Sequence, residues 1–214
     1  MKQTAIIVFV LLLAAAAAPA AAAAADAPRP DADGFYSLFD GKTLAGWRAS
    51  ENVDTFKVED GAIVAHGPRS HLFYEGPVGK ADFKNFHLKC EVMTWPKANS
   101  GIFIHTRFQD KDWPSQGYEI QINNTQSDPI RTASIYGVVR ITEAPAKDNQ
   151  WFLLEIIVEG RKIITKVDGR TIVEYTEPED VRGSRRLSNG TIALQGHDPG
   201  SRVAFRNIRI KPLD

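Results

Sequence analysis

The stretch GYEIQINNT, residues 117–125, alternates strictly between two chemistries. Read with the two-residue period of a strand, Tyr118, Ile120 and Ile122 share one face, and Glu119, Gln121 and Asn123 share the other. The apolar row suits a core. The opposite row carries a carboxylate and two amides where a solvated face would mix in Lys, Thr or Ser.

Two other stretches repeat this division. In SGIFIHTRF (100–108), Ile102, Ile104 and Thr106 alternate with Phe103, His105 and Arg107. In TIALQGH (191–197), Ile192 and Leu194 alternate with Ala193, Gln195 and His197. If the three lie in one sheet, the apolar residues are buried against a second sheet. Their partners then face a common concavity lined with His, Arg, Glu, Gln and Asn. Such groups suit sugar hydroxyls, because amides and carboxylates bridge neighbouring OH groups and aromatic rings stack on C–H faces. The competing reading is three solvated strand faces.

The rest of the chain has the same texture. TFKVED and GAIVAHG form a hairpin with Asp60-Gly61 at its turn, the strongest short-range hairpin signal. WFLLEIIVEG, KIITKVDG and RTIVEYTE make a meander with a second such turn at Asp168-Gly169. FKNFHLKCEVMTW, TASIYGVVRI and SRVAFRNIRIKPL read as further strands. About ten to twelve short strands, and no helical period longer than two turns, predict an all-β antiparallel sandwich or jelly roll. Trp47 and Trp151 sit in apolar strand contexts and are assigned to the core. Trp113, in the polar turn DKDWPSQG, is read either as an exposed sugar platform or as a packing residue. Tyr136 joins it as an aromatic candidate for substrate contact.

The chain of 214 residues suits one domain behind a leader. Lys2, the apolar run AIIVFVLLL and the small-residue run ending at Ala25 have the form of a secretory signal (1–25), with a polar, proline-bearing linker at 26–33 and the domain at 34–214. The expected product is exported, periplasmic or extracellular, with no membrane attachment after cleavage. Lys+Arg and Asp+Glu are equal at 26 each, and the leader removes only Lys2. A near-neutral domain has no electrostatic reason to bind nucleic acid or an anionic membrane. The lone cysteine, Cys90, cannot form an internal disulfide and reads as a buried, inert thiol.

Motifs for other chemistries are missing. The five histidines show no HxH or HExxH spacing, so no metal-ligand set is assigned; a divalent ion held loosely across strands is left open, and the cofactor is unspecified. There is no G-x-S-x-G. Sandwich glycanases of the laminarinase type carry E-x-D-x-E on one strand, whereas EIQIN keeps only the first carboxylate. A retaining mechanism needs two carboxyls roughly 5 Å apart, which disfavours ordinary double displacement here.

FYSLFDGKTLAGW (35–47), FKVEDGAIVA, SGIFIHT, GYEIQINN, the meander and TIALQGH…VAFRNIRIKPL, in that order, resemble the 3-keto-disaccharide hydrolase domain family across nearly the whole mature chain. The resemblance implies a concanavalin A-like jelly roll, bacterial export and cleavage of glycosides oxidised to a ketone at C3. The family motif GYE-x-Q-x-D/N maps onto Gly117, Tyr118, Glu119, Gln121 and Asn123, and LQ-x-H maps onto Leu194, Gln195 and His197. The chain departs from the family at Ile104-His105, where Arg is common, with Arg107 two residues later. It departs again at Asn123, where an acid is common. A C3 ketone acidifies the C2 proton, so a base can remove it and the C1 substituent can leave by elimination before water adds. Glu119 and His197 are the candidate bases; His105 and Arg107 are candidates to stabilise the oxyanion. Gln121, Asn123, Gln195, Trp113 and Tyr136 are candidate substrate contacts. The alternative is a non-catalytic, lectin-like module on the same fold.

Overall fold

The computed structural model describes residues 28–214; the expected leader lies outside the described residues. Thirteen strands run β1 (Tyr36–Ser37), β2 (Trp47–Ala49), β3 (Phe56–Glu59), β4 (Ala62–His66), β5 (Ser70–Tyr74), β6 (Asn85–Thr94), β7 (Ser100–Thr106), β8 (Tyr118–Ile122), β9 (Phe152–Glu159), β10 (Lys162–Val167), β11 (Arg170–Thr176), β12 (Thr191–Gly196) and β13 (Arg202–Leu213). Among the described residues the only helices are two short 3-10 segments, Val53–Thr55 and Val78–Ala81. All strand pairings are antiparallel. One sheet orders its strands β11-β10-β9-β6-β13-β4-β3 with β1 added beside β13, and the other orders them β2-β5-β12-β7-β8. This is the antiparallel sandwich that the alternation predicts, and the concanavalin A-like architecture that the family resemblance implies.

Both Asp-Gly turns form. Asp60 and Gly61 have φ of 48° and 77°, and Asp168 and Gly169 have 49° and 78°. Positive φ at both central residues gives the turn a twist that matches its flanking strands. Between the sheets, Ile102, Ile104, Tyr118, Ile120, Ile122, Ile192 and Leu194 are buried with Phe86, Leu88, Val92, Ile156 and Phe205 from the opposite sheet. Each such side chain contributes on the order of 1.5–3 kcal/mol by leaving water. Cys90 is buried in this core, and burial pushes its thiol pKa up, as expected of an inert residue. Trp47 is also buried and donates its indole N–H to the Leu38 carbonyl at 2.7 Å. Trp151 is not in the main core: it is half-buried in a small cluster with Met93, Trp95 and Ala204, under the Arg206 guanidinium.

Two expectations are corrected. TASIYGVVRI is not a continuous strand: it folds back on itself through Ala133 (φ 72°) and Gly137 (φ 76°), and is held to β8 by the Ile120–Ile135 bridge and by backbone hydrogen bonds to Glu119 and Gln121. β7 also does not alternate to its end. Thr191 pairs with Thr106 while Ala193 pairs with Phe103, so β7 holds one extra residue, and His105 takes the left-handed conformation (φ 53°). This bulge resets the phase of the strand. Other backbone presses against it from the side: a methyl on Gly117 would fall 1.9 Å from the Ile104 carbonyl oxygen, so only glycine fits there.

Candidate active site

The polar rows lie on the outer face of the five-stranded sheet, and that face is not solvated. β5, β7, β8 and β12 are buried along their whole lengths, on both faces. Loops roof the outer face and leave a cavity of about 260 Å³. Its lining includes Glu119 and Gln121 from β8, Gln195 from β12, His197 just beyond it, and Trp113 and Tyr136 from loops. A roofed face explains why the row carries amides and a carboxylate instead of Lys and Thr.

Glu119 is the deepest ionisable group in the cavity, with 7% of its surface exposed. Burial pushes its carboxyl pKa up to about 7; the Gln195 hydrogen bond and the Arg185 charge pull the other way, while Asp128 adds to the rise. The Gln195 amide donates to Glu119 Oε1 at 2.8 Å, although the two residues stand on β12 and β8 with β7 between them. Strands are about 4.8 Å apart, so this contact spans two spacings. It forms because β7 presents Gly101 at the crossing. A methyl there would lie 2.6 Å from Glu119 Oε1 and 2.9 Å from its Cγ. The glycine is thus the bed on which the carboxylate lies. Beside it, Gln121 donates to Asn99 Oδ1 at 2.9 Å.

His197 stands at the edge of the cavity. Its Nδ1 meets Asp198 Oδ2 at 2.6 Å, and Asp198 is itself held by the Ser201 hydroxyl (2.9 Å) and the Gly200 amide (2.7 Å). Burial works against ionisation of Asp198, but these hydrogen bonds outweigh it and lower its pKa. With Nδ1 turned to Asp198, Nε2 is the ring nitrogen left to act. Trp113 packs against the His197 ring at 5.2 Å between centroids. Its loop is fastened from within by the Gln109 side-chain amide, which donates to the Lys111 and Trp113 carbonyls. Trp113 (41%) and Tyr136 (38%) remain well exposed for such large side chains.

Three candidates lie elsewhere. His105, displaced by the bulge, turns its ring edge to Phe86; its Nε2–H donates to the Lys84 carbonyl (2.9 Å) and its Nδ1 accepts from the Ser188 amide (3.0 Å). Both nitrogens are therefore occupied by backbone, and burial lowers the pKa of the ring. Arg107 follows the same phase change into a separate depression beside Glu75 and Phe108. Asn123 lies one residue beyond β8 and organises the next loop, donating to the Asp128 and Ile130 carbonyls and accepting from the Gln126 amide. The cavity recruits Asp128, Arg185, Asn99 and Phe103 instead. The two charged residues come from loops with no periodicity to betray them. No group of three His, Cys, Asp or Glu among the described residues is arranged to hold a metal ion.

Residues 34–211 match the model of the 3-keto-alpha-glucoside-1,2-lyase-like domain. A 3-keto-disaccharide hydrolase from Bacteroides thetaiotaomicron is 27% identical, over 86% of this chain and 80% of its own. The fold matches that of a candidate glycosyl hydrolase from Parabacteroides distasonis, with a TM-score of 0.73 at 22% identity over 86% of this chain and 95% of that one. It also matches a carbohydrate-binding module from Bacillus subtilis, with a TM-score of 0.51 at 11% identity over 78% and 95%.

Proposed function

Because the chain belongs to the 3-keto-alpha-glucoside-1,2-lyase-like domain family, we propose that it is an exported enzyme that cleaves 3-keto-glycosides by eliminating the C1 substituent and then hydrating the product. The observation that carries this reading is the buried Glu119 carboxyl. Its proton affinity is raised to near neutrality, and the Gln195 amide fixes it on the floor of a polar cavity. A base of this strength suits the C2–H next to a ketone far better than the much weaker acid of an unoxidised sugar.

In the proposed sequence, Glu119 takes the C2 proton and the C–H electron pair forms the C2=C3 enolate. The Arg185 guanidinium balances the charge on the C3 oxygen. The enolate collapses to restore the ketone, forms C1=C2 and expels the C1 oxygen. The leaving oxygen takes a proton from Nε2 of a His197 imidazolium, which the Asp198 carboxylate supports from the other side. Water then adds its oxygen at C1 and gives one proton to Nε2 of the now neutral His197, while Glu119 returns the proton it took to C2. Trp113 and Tyr136 offer faces for the sugar rings, and Gln121 and Gln195 offer amides for hydroxyls. The leader at 1–25 supports the export part of the reading.

The mature protein should release the aglycone from a 3-keto-glucoside and leave the parent glucoside intact. Cleavage of the parent at a comparable rate would place Asp128 beside Glu119 as the second carboxyl of an ordinary glycosidase. Binding of both sugars with turnover of neither would favour the lectin-like reading.

A further inference from the structure

Three side chains on the outer face of the five-stranded sheet have buried polar atoms with no protein partner: both ring nitrogens of His71, Oε1 of Gln195 and Oε1 of Gln121. The register places them in one row. His71 pairs with Gln195 across β5 and β12, and Gly101 pairs with Gln121 across β7 and β8. Gln195 lies opposite Gly101, one step along the register in which Leu194 pairs with Ile102. Glycine in the third place leaves room between the two glutamines, and the Glu119 carboxyl lies there. Leaving a buried polar atom unpaired costs about 1–3 kcal/mol, so a purely structural floor has no reason to keep three such side chains together. Gln121 and Gln195 already line the cavity. His71 is fully buried next to it, with its ring 5.4 Å from that of Trp113 and 5.3 Å from that of Phe103. Burial pushes its pKa down to about 3, which leaves one ring nitrogen as donor and the other as acceptor.

We propose that His71 is a sugar-binding residue of the same cavity, reached when the Trp113 indole turns off it, and that with the free amide oxygens of Gln195 and Gln121 it reads the hydroxyl groups of the glycosyl ring. The inference rests on the keto-glycoside reading above. Each sugar hydroxyl has one proton to donate, and the row offers acceptors that lack one. A ring deoxygenated at a contacted position leaves an acceptor unpaired, which discriminates more strongly than lost apolar contact.

The test is His71→Phe, which keeps an aromatic ring against Phe103 and Trp113 and removes both nitrogens; His71→Leu serves if the phenyl ring does not fit. Two quantities are measured: steady-state kinetics on a 3-keto-glucoside, and binding of 3-keto-glucose and of the parent glucoside by tryptophan fluorescence. The expected result is a tenfold or greater fall in kcat/KM, carried mainly by KM, a matching loss of sugar affinity and a raised Tm. A kcat/KM and affinity within twofold of wild type would overturn the proposal, as would a lowered Tm with KM unchanged. If the wild type binds sugar without cleaving it, the catalytic reading fails while the binding comparison still decides the role of His71. A wild type that neither binds nor cleaves removes both.

Discussion

Gly101→Ala tests the geometry of the site with one methyl group. The backbone at this position accommodates alanine, so the effect comes from the side chain alone. The new Cβ would stand 2.6 Å from Glu119 Oε1, 2.9 Å from its Cγ and 3.1 Å from its Cδ, where ordinary contact begins at 3.4 Å. The carboxyl must retreat by about 0.8 Å, and the 2.8 Å hydrogen bond from Gln195 lengthens or breaks. Overpacking costs about 1–3 kcal/mol. Replacing a glycine inside a strand returns roughly 0.5–1 kcal/mol of that. A net loss between about 0 and 2.5 kcal/mol leaves the fold intact. Activity should suffer far more, since a displacement of about 1 Å costs on the order of 100-fold in rate. The assay is kcat/KM on a 3-keto-glucoside, read beside thermal unfolding. Wild-type kcat/KM in a folded Gly101→Ala protein would refute the claim that Gly101 positions the catalytic carboxylate.

Glu119→Gln should lower turnover about 100-fold or more, the usual scale for losing a general base, while the protein stays folded. In the wild type, kcat/KM should rise with pH through about 7 as Glu119 ionises, as a pH–rate profile would show. Stability carries the opposite sign. The folded pKa is raised from 4.5 to about 7, so the folded state holds this proton where the unfolded chain has lost it. Stability on this account falls by roughly 3 kcal/mol as pH rises from below 4.5 to above 7. Denaturant melts at pH 5 and pH 8 should show Glu119→Gln removing that part of the slope. Expressed with its leader in a bacterium, the protein should be exported with an N-terminus near Asp26; N-terminal sequencing that finds Met1 on the exported material would mean a retained anchor.

The alternation that put Ile120 and Ile122 in the core also put Glu119 and Gln121 on the opposite face, so the fold and half of the candidate cavity's lining were readable from the same residues. Gln195 and His197 followed by the same logic. His105 and Arg107 were misplaced because alternation fails at a bulge. That bulge is set by a single left-handed residue and by glycines arriving from Gly117 and Gly190, which no local pattern announces. Asn123, one residue beyond the strand, spends its amide on a loop. Arg185 and Asp128 reach the cavity from loops whose paths depend on tertiary anchors, such as the Leu187 amide donating to the buried Glu177. A glycine inside the apolar stretch SGIFI was the available signal for a close approach at position 101.

The most direct test of the central claim is a single-turnover comparison of 3-keto-glucosides carrying hydrogen or deuterium at C2. If Glu119 removes that proton before the C1–O bond breaks, the deuterated glycoside is cleaved severalfold more slowly, and a transient enone absorbance precedes hydration. Equal rates for the two substrates, with no enone, would mean that the glycosidic bond breaks without C2 deprotonation, and the account would be wrong.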